Sequence, residues 1–105
     1  MIKVMISPKE ISIKGHALYD DYGKDIVCAS VSSIVTTSVN AILSFNKEAI
    51  KYIVKEGLIV INVVNNDKTT ETLLTNMCNL LEELKENYPK NIKIEREWNL
   101  WSFWS

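Results

Sequence analysis

The chain has 105 residues, enough for one hydrophobic core and too few for a second domain. At 47% hydrophobic and 24% charged, it has the make-up of a folded domain, not of a disordered one. A net charge of −1 and a pI near 5.8 argue against tight nonspecific nucleic-acid binding, which needs a basic face. No apolar run is expected to reach membrane-spanning length, and the N-terminus lacks a signal-peptide core. The expectation is a cytoplasmic protein with no membrane partner. There, Cys28 and Cys78 are expected as free thiols, and they lack the clustered spacing of a zinc site.

Ile2, Val4 and Ile6 alternate with strand period, and Pro8 closes that segment. Ile11 and Ile13 begin a second alternation that runs into Gly15-His16, so the two strands are expected to pair as a hairpin. Residues 17–24 read as a polar loop with Tyr19, Tyr22, two aspartates and Gly23. Asp25 then serves as N-cap of a helix that ends near Leu43 or Ser44. On that register Cys28 is the third helical residue. Val27, Val31, Ile34, Val35, Val39 and Ile42 form the stripe that faces the sheet. The many β-branched residues lower helix propensity, so packing must hold this segment.

Ile50–Val54 reads as a third strand, Gly57 as a turn, and Leu58–Val64 as an apolar central strand. Residues 65–68 form a turn cluster, and a second helix runs from about Thr70 to Asn87, with Pro89 marking its end. Its buried stripe is Leu73, Leu74, Met77, Leu80, Leu81 and Leu84, with Cys78 among them. Glu82, Glu83, Lys85 and Glu86 form the solvated side. Residues 91–98 alternate again. The predicted order is β-β-α-β-β-α-β, an α/β (α+β) two-layer sandwich with two helices on one face of a mostly antiparallel sheet. The domain is expected to span residues 1–97. An aromatic tail follows at residues 98–105 and holds all three tryptophans.

The chemistry concentrates in residues 15–32. A cysteine at a helix start is a common way to hold a thiolate at neutral pH, and a histidine in reach completes a nucleophile and base pair. His16 is the sole histidine. Strict alternation sets it with Ser12 and Lys14, opposite Ile11 and Ile13. Either Gly15 breaks that alternation, or His16 lies past the strand end, or it is a plain solvent-facing histidine. Cys28 is a buried thiol in the bland reading. Asp25 is explained by capping alone, and Ser32 by an ordinary helix serine four residues after Cys28. Tyr19 and Tyr22 read equally as amphipathic loop residues.

The stretch Gly15-His16-Ala17 through Gly23-x-Asp25-Ile26-Val27-Cys28-Ala29-x-Val31-Ser32 resembles the ribosomal-processing cysteine protease family Prp. The order of elements agrees to about Arg96. The resemblance implies a His16–Cys28 catalytic dyad. It also matches Asp25 and Ser32 to family positions three before and four after the cysteine. Tyr19 and Tyr22 then become candidates for lining subsites, with Gly15 and Gly23 framing the loop. It further implies a small cytoplasmic homodimer. Its substrate would be the N-terminal extension of ribosomal protein twenty-seven of the large subunit, cut through a thioester without metal or organic cofactor. The rival reading is a non-catalytic module that binds ribosomal protein or RNA. The tail goes beyond the family pattern, and one expectation is that it competes for the substrate cleft.

Overall fold

The computed structural model describes residues 1–15 and 22–97, with side chains from residue 26 onward in the first helix. In chain order the elements are β1 (Ile2–Ile6), β2 (Glu10–Lys14), α1 (Tyr22–Phe45), β3 (Ile50–Lys55), β4 (Leu58–Val63), α2 (Lys68–Asn87) and β5 (Ile92–Arg96). The order is the one read from periodicity.

The strands form one sheet in the order β3-β4-β2-β1-β5. Three of its four pairings are antiparallel, and β1 with β5 is parallel. β1 and β2 form the expected hairpin, with Val4 opposite Ile13 and Ile6 opposite Ile11. The period-2 alternation then turns Ile2, Val4, Ile6, Ile11 and Ile13 to one face, where all five are buried. Both helices contribute to the same core: Val27, Val31, Val35, Val39 and Ile42 from α1, Leu74, Met77, Cys78 and Leu81 from α2. Full burial of each such side chain is worth about 1.5–3 kcal/mol. That sum, not helix propensity, holds the β-branched α1.

The structure corrects several details. First, α1 begins at Tyr22, so Tyr22, Gly23 and Lys24 are helical, not loop. Asp25 lies in the opening turns and is not the N-cap. Second, Ile26–Phe45 carries no charge and has a mean hydropathy of 1.8, so by length and composition it does reach membrane-spanning size. In this fold its valine stripe lies in the core of the sandwich instead. Third, Leu80 is 37% exposed, because it sits on the outward side of the α2 stripe, while Cys78 takes a core place. Fourth, Glu82 is not merely solvated: Arg96 Nε of β5 donates to its Oε2 at 3.2 Å.

α2 starts two residues before its expected first residue and is capped by Asp67, whose Oδ1 accepts the Thr70 N–H at 2.7 Å. That bond is the main reason the Asp67 carboxyl is held below its ordinary 3.8.

Candidate active site

The β2 strand ends at Gly15, and this glycine is required by its conformation. Its φ is +115°, a region L side chains rarely adopt, and a Cβ there would overlap the Met1 carbonyl oxygen. The Gly15 N–H donates to the Gly57 carbonyl at 2.9 Å. The end of β2 is thereby tied to the β3–β4 turn, where Gly57 takes φ +72°. Because the regular pleat stops at Gly15, the parity count that set His16 on the open face does not extend past it. His16 itself, with Ala17, Leu18, Tyr19, Asp20 and Asp21, lies outside the described residues.

Cys28 is the seventh residue of α1. It follows Val27, which is fully buried in the core, and is therefore turned about 100° from it, to the edge of the buried stripe. The thiol is neither buried nor fully exposed. The expected third helical position is thus corrected. The free N–H groups of a helix belong to its first four residues, and Cys28 lies beyond them.

Cys28 opens on a cleft of about 150 Å³ between α1 and the sheet. Ser32, one turn on, lines the same cleft, as their i, i+4 spacing requires. Gly15, at the end of β2, lines it too. The rest of the wall was not foreseen. It comes mainly from the β3–β4 hairpin, with Val54, Lys55, Gly57, Leu58 and Ile59, beside the core residues Ile2, Ile13 and Val31. Gly57 was legible as a turn, but nothing local to it shows that β2 pairs with β4, placing Lys14 opposite Leu58. Of the predicted site residues, then, the structure brings together Gly15, Cys28 and Ser32. Gly23 is helical backbone, and the side chains of Tyr22 and Asp25 are outside what is described.

Cys78 is the contrasting thiol. It is fully buried, as read from its leucine stripe, and burial pushes its pKa up to about 12. Among the described residues no group of three or more His, Cys, Asp or Glu could hold a metal ion.

A family model described as "Cysteine protease Prp" matches residues 1–93. The chain is similar to the ribosomal processing cysteine protease Prp of Staphylococcus aureus, at 36% identity over 89 residues, covering 81% of this chain and 83% of the relative. It is also similar to that of Mycoplasma genitalium, at 28% identity over 99 residues, covering 92% and 97%. Among solved structures, the S. aureus protease in complex with a substrate peptide superposes with a TM-score of 0.84 at 29% identity. That match covers 92% of this chain and all of the other.

Proposed function

Since the chain belongs to the Prp family of ribosomal-processing cysteine proteases, we propose that it removes the N-terminal extension of ribosomal protein twenty-seven of the large subunit, with Cys28 as nucleophile and His16 as base. One observation carries the residue assignment: Cys28 and Gly15 line the same cleft, and His16 follows Gly15 directly in the chain. The S. aureus relative was solved with a substrate peptide, which supports a peptide as the ligand of this cleft.

In this mechanism the Cys28 thiolate, paired with the His16 imidazolium, attacks the scissile carbonyl carbon. The new C–S bond forms, the C–N bond breaks, and His16 gives its proton to the leaving amine. Water then attacks the thioester while His16 takes its proton. The acyl group leaves as a carboxylic acid, and the thiolate pair is restored. Oxyanion donation by a free Cys28 amide is not part of this mechanism, because that amide lies within α1. Ser32 is assigned to the substrate side of the cleft, and Asp25, Tyr19 and Tyr22 to its flanking loop and helix start. The protein works as a cytoplasmic homodimer. No step calls on a metal or organic cofactor.

The test is cleavage of a peptide copying the extension. Cys28→Ala abolishes cleavage, and His16→Ala lowers kcat/KM by roughly 10²–10⁴. Full activity in either variant overturns the dyad.

A further inference from the structure

The side of the sheet away from the helices has an order of its own. Across the five strands the register sets Glu95, Met5, Ser12, Val60 and Ile53 in one row. Met5 and Ile53 are each 44% exposed and Val60 is half-buried, so an apolar row lies open on this face. The neighbouring row is Lys93, Lys3, Lys14, Leu58 and Lys55. Glu95 Oε1 lies 3.6 Å from Lys3 Nζ and 3.4 Å from Lys93 Nζ, which gathers two of these cations at the β5 edge. Both helices pack on the other side.

The chain leaves the sheet beside the apolar row. The Glu97 N–H still donates to the Ile6 carbonyl at 3.1 Å. Met5, Ser12, Glu95 and Glu97 help to line a groove of about 410 Å³ there. Residues 98–105, which lie outside the described residues, follow directly. They include Trp98, Leu100, Trp101, Phe103 and Trp104 and carry no charge. Left in water, such a run is a large apolar patch. Extended, it reaches roughly 28 Å. The steps from β5 across to β3 measure about 19 Å. The Cys28 cleft is worse placed for it. That cleft lies on the helix side and at the Ile2 end of β1, about 13 Å along the strand from Ile6.

We propose that residues 98–105 dock on the open face of the sheet, running from β5 toward β3 over Met5, Val60 and Ile53. Leaving water favours the rings on the apolar row. The lysine row beside it offers cations to the indole faces, and Glu95 offers an acceptor for an indole N–H. The tail then forms a third layer on the sheet and leaves the Cys28 cleft to substrate.

All three tryptophans lie in this segment, so tryptophan fluorescence of the full chain reports on it alone. The emission of the folded protein should lie to the blue of the urea-unfolded chain, and acrylamide should quench it less. Met5→Glu and Ile53→Glu change exposed side chains, and each should shift the emission and the quenching toward the unfolded values. Val54→Glu is the control, because Val54 is 59% exposed but lines the Cys28 cleft. It should shift neither. A second measurement leaves the sheet untouched. In a chain carrying Trp101→Ser and Trp104→Ser, acetic anhydride should modify Lys14 and Lys55 faster than in the parent, with Lys47, on the loop after α1, as the internal reference. A folded protein whose emission matches the unfolded chain overturns the proposal. So does a shift in Val54→Glu alone, which would seat the tail in the cleft. An emission that moves to the red on dilution would assign the tail to a second copy of the chain and overturn it as well.

Discussion

The two helices carry one cysteine each, and the two thiols meet opposite fates. Cys28 sits at the edge of the α1 stripe and opens on the cleft that Gly15 and the β3–β4 hairpin complete. Cys78 sits in the middle of the α2 stripe, fully buried, with its pKa raised to about 12. The residue type is the same and the helical context is similar. What differs is angular position relative to the sheet: a rotation of about 100° around a helix axis separates a core position from a cleft position. Thiol reactivity follows from access and the surrounding charge, so placement decides which cysteine is available for chemistry.

The sharpest way to break this contrast is to label both thiols near neutral pH. With a pKa of about 12, Cys78 holds a thiolate fraction of roughly 10⁻⁵ at pH 7, and it reacts only when the core opens. Iodoacetamide should therefore modify Cys28 at least about a thousandfold faster, read by mass spectrometry of the two peptides. Comparable rates would show that the core around Cys78 is not closed.

Alkali probes the buried thiol from the other side. Its folded pKa is raised from 9.0 to about 12, so the folded state keeps its proton longer than the unfolded chain. That contribution to stability is fully present below pH 9.0 and is lost as pH rises through about 12. The stability of the parent protein should fall more steeply than that of Cys78→Ala in this window. The difference in slope should approach about 1.4 kcal/mol per pH unit. Chemical denaturation at a series of pH values measures it, and parallel slopes would contradict it.

Around Cys28 the corresponding probe is Gly15→Ala. The left-handed φ of Gly15 and the overlap of a new Cβ with Met1 should destabilise the fold by about 1–3 kcal/mol and reshape one rim of the cleft. A variant as stable as the parent would mean that the β2 end is not held in this conformation.

The smallest effect is expected at the start of α2. Asp67→Ala removes the acceptor for the Thr70 N–H, so the melting temperature should fall while Cys28 labelling stays unchanged. The depressed pKa of Asp67 gives the sign of its pH dependence. Its contribution is present above pH 3.8 and is lost as pH falls through its lower folded value, and Asp67→Ala should be insensitive to that change. Altered Cys28 labelling would show that the two helices are coupled.

The sequence by itself determined the kind and order of every element. Ile2, Val4 and Ile6 have no reading but a half-buried strand, and Leu74, Met77, Cys78 and Leu81 none but a helix stripe, because period is a local property. It also singled out Cys28 and His16, because only one histidine is present and the surrounding stretch is distinctive. Where α1 begins was decided otherwise. A plausible cap at Asp25 was overridden and the helix reaches back to Tyr22, since a side-chain cap contributes only about 1 kcal/mol. Tertiary structure alone supplied the pairing of β2 with β4, and with it the wall that Val54 and Gly57 build beside Cys28. Strand partners far apart in the chain are chosen by the shared burial of whole faces. No residue in 54–59 carries a local sign that it stands beside residue 28.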